Sequence, residues 1–165
     1  MEILDQNTDV VCEGDPMSTG FTPNYSKPFE LSMTVKTSPL IGYGKKGIIY
    51  SDRGSQSLLE IRWSKSSSIK LVISNSDTNE RLTTEELEMN EAYDVKLAFD
   101  GDTCGWYLDG KQVGTTIDCS KGFGELGNPM LCHASNYGWF GWISNLKFEN
   151  IGINTCYLIL QLNTS

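Results

Sequence analysis

Four tryptophans and a few planar polar side chains near strand ends are the residues whose types suit them for chemistry in this chain. An aromatic face can pack on the apolar C–H side of a sugar ring, while amide, carboxylate and guanidinium groups bond the sugar's hydroxyls. Trp63, Trp106, Trp139 and Trp142 are the large platforms, with Tyr43, Tyr50 and Tyr137 as smaller ones. The polar half comes from SDRGSQ (51–56) and HASNY (133–137), two segments expected in loops at the rim of a sheet. Asp52, Arg53, Trp63, Asn136 and Tyr137 are therefore the expected ligand-binding residues. Trp63 closes a strand beside Lys65 and is the tryptophan expected at the surface. Trp106 alternates with Leu108 and reads as core, whereas Trp142 shares a strand face with polar Ser144 and not with Ile143.

Catalytic patterns are poorly represented. Glycoside hydrolysis uses two carboxylates at a set separation, which on one strand would read E-x-D-x-x-E. The nearest approach, Glu13-Gly14-Asp15, runs on to Ser18 and lies in a turn-rich stretch. Glu85, Glu86 and Glu88 read as a solvated acidic face. His133 is the only histidine, so any Ser-His-Asp or Cys-His arrangement would rest on it, and no G-x-S-x-G elbow accompanies it. A lyase-type cluster of Arg, His and Tyr would have to draw on Arg53, Arg62 and Arg81. The segment GYGKKG (42–47) lacks phosphate-loop spacing and is expected to open a strand, not a helix. No catalytic residue and no cofactor is expected.

Thirteen basic residues face 21 acidic ones, for a net charge of −8 and a pI near 4.6. That balance argues against nucleic acid, whose phosphates call for a basic surface. No apolar run approaches the roughly 18 residues of a membrane span. The expected partner is a carbohydrate or glycoprotein, with neither nucleic acid nor membrane insertion. The five cysteines, Cys12, Cys104, Cys119, Cys132 and Cys156, include no C-x-x-C pair and stand with one histidine, which leaves zinc unsupported. They are expected to be thiols of a reduced compartment, because a 165-residue domain buries enough surface to fold without bridges.

The elements that must position these groups are strands. Val95, Leu97 and Phe99 alternate with Lys96 and Ala98, the pattern of a half-buried strand. Asp100-Gly101 and Asp109-Gly110 mark tight turns on either side of the next strand. Strands are expected over about 8–12, 29–36, 47–51, 57–63, 69–74, 93–99, 104–109, 112–117, 128–133, 141–149 and 155–162. Residues 64–68 form a hairpin tip, and 76–90 hold a strand followed by one helical turn. So many short strands at this spacing indicate a two-sheet sandwich. Its core should include Phe29, Leu31, Met33, Val35, Ile48, Leu59, Ile61, Leu71, Ile73, Val95, Leu97, Phe99, Trp106, Leu108, Ile143, Leu146 and Phe148.

The pattern V-x-L-x-F-D-G, then WYLDGKQVG (106–114), then WFGWISNLKF (139–148) resembles laminin G-like domains of the concanavalin A-like group. PFELSMTVK (28–36) and GIIYSDRGSQSLLEIRW (47–63) resemble that family's earlier strands, so the likeness spans about residues 5 to 150. It implies an all-β, two-sheet antiparallel jelly-roll sandwich occupying residues 1–165 as one domain. It also implies a core position for Trp139, and a last strand, 155–162, pairing with 3–12. Chain ends meet in that architecture, so Cys12–Cys156 is the bridge to test first if one exists. Family members hold calcium at a rim; Asp100, Asp102 and Asn136 fall short of the 6–8 oxygens that ion takes, and no metal is expected.

The functional expectation is a non-catalytic, lectin-like recognition or adhesion module for cell-surface carbohydrate. The alternative is a structural, decoration or receptor-binding protein of a virus or phage particle that docks proteins with the same fold. MEILDQNTDVV carries no basic region and is not expected to act as a secretory signal. An extracellular surface or a virion is the expected location, the chain being either a particle protein released by lysis or a piece of a longer secreted one.

Overall fold

The alternation in FELSMTVKT decides which way the central strand faces. In a computed structural model of the chain, Phe29, Leu31, Met33, Val35 and Thr37 are buried, and Glu30, Ser32, Thr34 and Lys36 lie on the opposite face. The structure describes residues 10–13, 17–38, 47–52, 59–65, 69–75, 80–83, 87–88, 90–122, 129–132 and 140–152. Among them are thirteen strands and no helix: β1 (Val10–Glu13), β2 (Met17–Ser18), β3 (Phe29–Thr37), β4 (Gly47–Asp52), β5 (Leu59–Lys65), β6 (Ile69–Asn75), β7 (Glu80–Thr83), β8 (Ala92–Phe99), β9 (Thr103–Leu108), β10 (Lys111–Gln112), β11 (Ile117–Asp118), β12 (Pro129–Leu131) and β13 (Phe140–Asn150).

They form two antiparallel sheets. The seven-stranded sheet runs β1-β13-β3-β8-β9-β10, with β11 also on β9, and the six-stranded sheet runs β2-β12-β4-β5-β6-β7. Strands distant in sequence are neighbours, as in a jelly roll: β13 lies between β1 and β3. The expected strand over 112–117 is in fact two short strands on one edge of β9. Gly114 separates them at φ +65, a left-handed conformation that glycine adopts without a Cβ clash. The Asp109-Gly110 turn has φ +48 and +77, the doubly positive pair that suits a two-residue hairpin.

Inward-facing residues meet in one core. Phe29, Leu31, Met33, Val35, Val95, Leu97, Phe99, Trp106, Ile143, Leu146 and Phe148 are all buried as expected, joined by Tyr25, Ile49, Ile117 and Leu131. Leu108 packs against this core from a partly buried position. The expected core side chains of Ile48, Leu59, Ile61, Leu71 and Ile73 fall outside the described side chains. Phe29 and Phe148 stack with centroids 5.1 Å apart, and Tyr25 meets both rings edge-on. Burying these rings supplies much of the apolar area that drives such a sandwich together.

Two sequence expectations are corrected. Tyr50 is not an exposed platform: it is buried, and its hydroxyl hydrogen-bonds that of Tyr25. A bulge between Ile48 and Tyr50 breaks the alternation, so that Ile49 and Tyr50 are both enclosed. Nor are all the cysteines thiols. Cys12 and Cys132 form a disulfide with Cα atoms 5.4 Å apart across 120 residues of sequence. Cys12 is on the inner face of β1 and Cys132 directly follows β12, so the bond ties one sheet to the other. The fold closes a separation that sequence spacing could not reveal. The bridge expected first, Cys12–Cys156, is thereby overturned, since Cys132 takes the Cys12 sulfur; the expected strand 155–162 and its partners over 3–9 lie outside the described residues.

Candidate functional site

The outward residues of β13, β3, β8 and β9 form a grid whose rows are set by register. Trp142, Lys36 and Ala92 make one row, with Val11 of β1 beyond Trp142. Ser144, Thr34 and Asp94 make the next, and Lys147, Ser32, Lys96 and Tyr107 the third. Alternation alone turns these side chains outward, because their neighbours on each strand fill the core.

One irregularity shapes the centre. The β13–β3 register shifts between Ser144 and Lys147, and Asn145 has φ +53. Such a bulge inserts a residue and re-aims its side chain, and asparagine tolerates the left-handed conformation better than most. Asn145 Nδ2 donates to Thr34 Oγ1 at 3.2 Å, and Thr34 Oγ1 donates to Asp94 Oδ1 at 2.6 Å. The Asp94 amide donates in turn to Asp109 Oδ1 at 2.8 Å, fixing the β8 backbone to the following hairpin turn. A groove of about 370 Å³ opens over this chain, lined by Ser32, Thr34, Asp94, Lys96, Tyr107 and Asn145 among others.

An aromatic ring stands at each of two diagonal corners. Tyr107 lies over Gly105, where an added Cβ would sit 3.0 Å from the ring, so the glycine permits the close approach. Lys96 Nζ is 4.9 Å from the Tyr107 centroid and 3.3 Å from Glu30 Oε1, which holds the ammonium between ring and carboxylate. At the other corner Trp142 is 36% exposed, with Lys36 Nζ 5.7 Å from its centroid. Phe140 and Val11 are exposed nearby at 40% and 52%. The groove lining holds one acid, Asp94, and one base, Lys96, among its described residues, and the base is paired with Glu30.

The rim residues expected from sequence are distributed differently. Asp52 ends β4 opposite Pro129, and Trp63 on β5 pairs with Gly47 and Leu71. These two positions stand at opposite ends of the β4–β5 ladder, in the sheet that does not carry the groove. Arg53, Asn136 and Tyr137 lie outside the described residues, as do Tyr43, His133 and Trp139. Trp106 is buried as expected, and its indole N–H has no hydrogen-bond partner among the described residues. Asp100 spends its carboxylate on its own turn, accepting from the Asp102 and Thr103 amides and the Thr103 hydroxyl. Those amide bonds hold its carboxyl below the ordinary value of 3.8.

No local motif in the sequence marks Ser32, Thr34, Asp94, Lys96, Tyr107 or Asn145. The signal was present as the polar half of each alternating strand. What was missing was the register that sets Thr34 between Asn145 and Asp94.

No family model matches the chain, and no curated protein matches it. Solved structures do. A heptameric SAP-like pentraxin of Limulus polyphemus is 16% identical, with a TM-score of 0.65 over 87% of this chain and 77% of that one. Domain 4 of AbnA, an extracellular arabinanase of Geobacillus stearothermophilus solved with arabinotriose, is 12% identical, with a TM-score of 0.64 over 91% and 76%. The carbohydrate-binding module CBM66 of Bacillus subtilis is 14% identical, with a TM-score of 0.55 over 90% and 95%. Catalytic chains match as well, among them a sialidase and an alginate lyase. Identities this low speak for fold alone. The chain is an all-β, two-sheet jelly-roll sandwich of the concanavalin A-like kind, which is the coarser part of the resemblance read from its sequence.

Proposed function

We propose that this domain binds carbohydrate without cleaving it, along the groove on the outer face of the seven-stranded sheet. The observation that carries the reading is the grid itself: hydrogen-bonding side chains between Trp142 and Tyr107 at diagonal corners. The two corners are separated by three strand spacings and two row steps of two residues each, about 14 Å by 13 Å at ordinary sheet dimensions. That span suits an oligosaccharide of several rings better than a single sugar. With Lys96 paired to Glu30 and Asp94 beside them, the lining leaves no free positive charge among its described residues, which favours a glycan without acidic groups. Among the described residues of the groove lining Asp94 is the only carboxylate, whereas hydrolysis by a carboxylate pair uses two. The arabinotriose bound to one structural neighbour and the carbohydrate-binding name of another support the same class of ligand. An inter-sheet disulfide agrees with a domain working outside the cell, where such bonds persist.

Screening on a broad glycan array, followed by calorimetric titration of the best hit, tests the proposal. Binding should weaken in Trp142→Ala and Tyr107→Phe and survive substitution of the rim residues Asp52, Arg53, Trp63, Asn136 and Tyr137. Loss in the rim variants alone moves the site to the sheet edge expected from sequence. Silence across the array from a folded sample sinks the carbohydrate reading.

A further inference from the structure

We infer that Cys104 and Cys119 are the two halves of a second disulfide, one that binds β9 to the segment after β11. Both residues are fully buried. β11 pairs with β9 so that Ile117 faces Cys104 and Asp118 faces Thr103. The Cys119 amide then donates to the Asp102 carbonyl at 2.7 Å, extending the ladder by one residue. Positions 117 and 119 share one side of their strand, as do 102 and 104 on theirs, so the two cysteines are diagonal neighbours on the same inner face. The thiols are in hydrogen-bonding contact. The backbone around Cys119 is fixed: Gly122 donates to its carbonyl at 2.7 Å, and Ser120 donates to Asp118 Oδ1 at 2.8 Å.

Chemistry says when the bond must form. Exchange requires a thiolate. In the folded chain the contact with Cys119, reinforced by burial, pushes the Cys104 thiol up from its ordinary value. The pair therefore resists oxidation once enclosed and closes during folding. A disulfide oxidant such as oxidised glutathione supplies the electron sink. One cysteine thiolate attacks its S–S bond and releases one glutathione thiolate, and the second cysteine thiolate displaces the other. Two thiols are oxidised and one glutathione disulfide is reduced to two thiols.

The test is to unfold and reduce the full chain and refold it in a mixture of oxidised and reduced glutathione. Acid quenching, alkylation and peptide mapping without reductant follow. The expected map joins the Cys104 and Cys119 peptides, lighter by two hydrogens than their sum, beside a Cys12–Cys132 link, and leaves Cys156 as the cysteine open to alkylation. A parallel sample refolded without oxidant and then given glutathione disulfide should close Cys104–Cys119 at least tenfold more slowly. Alkylation of both Cys104 and Cys119 in the chain refolded with oxidant overturns the inference, whether or not Cys12–Cys132 has closed. So does a map pairing either one with a different cysteine.

Discussion

Thr34 Oγ1 donates to Asp94 Oδ1 at 2.6 Å across the β3–β8 boundary while accepting from Asn145 Nδ2 at 3.2 Å. One hydroxyl thus connects three strands from distant parts of the sequence, and Thr34 lines the groove. Thr34→Val keeps the β-branched shape and removes both bonds. Its expected cost is about 0.5–1.5 kcal/mol per bond lost, less where water takes over. The discriminating result is a fall in glycan affinity in a variant that still folds cooperatively, its melting temperature lowered by only a few degrees. A full loss of folding would mark Thr34 as structural instead.

Trp142 offers a partly open indole on the same outer sheet face, at the corner of the grid diagonal to Tyr107. Trp142→Ala should weaken binding about tenfold, the equivalent of about 1.4 kcal/mol, while stability changes little. Titration calorimetry on wild type and variant reads this directly, and equal affinities would exclude the ring from the site.

Leu97 is fully buried, with Leu31 opposite it on β3 and Trp106 on β9. Truncation to alanine removes contacts on both sides and leaves a cavity between packed strands. Leu97→Ala should cost about 2–5 kcal/mol in urea unfolding. A cost under about 0.5 kcal/mol, the range of ordinary surface substitutions, would mean the core is not built as described.

The Cys12–Cys132 bond restrains a long stretch of chain in the unfolded state. Its reduction should remove about 2–5 kcal/mol, which at this size lowers the melting temperature by roughly 4–20 °C. Scanning calorimetry with and without reductant measures it, with Cys12→Ala/Cys132→Ala as the reference. An unchanged melting temperature after confirmed reduction would contradict the inter-sheet tie.

Acid should loosen the β8–β9 turn. Amides of Thr103 and Asp102 depress the Asp100 carboxyl, and the Ser120 hydroxyl and amide depress that of Asp118. A depressed folded-state value means the stabilising contribution is complete above the unfolded value near 3.8. It is lost as pH falls through the lower folded value. The wild type should therefore lose stability more steeply than Asp100→Asn below that point. Because both groups are exposed, the difference should be small. Parallel acid-unfolding curves would refute the assignment for Asp100.

Much of the fold was written in local pattern. The alternation of β3 and β8 named their inward residues, and the Asp-Gly pairs placed two turns, because both depend on neighbours within a few residues. Ile143, Leu146 and Phe148 read as core from their apolar character, and all three are buried although the step from 143 to 146 is not an even one. The bulge at Asn145 absorbs the extra residue, and the choice of Asn145 over Ser144 depends on what β3 presents opposite. The groove follows the same logic. Sequence supplied outward polar residues on each strand, but only sheet pairing brought Asn145, Thr34 and Asp94 together with two rings at the corners. The rim loops drew attention because loops advertise polar clusters locally, whereas a site spread across a sheet face has no contiguous signature. The cysteines show the same division most plainly. Their number and spacing were legible, yet which sulfur meets which depends on two sheets closing over one core. Local chemistry set the strands and their faces; burial of those faces against each other decided the partners.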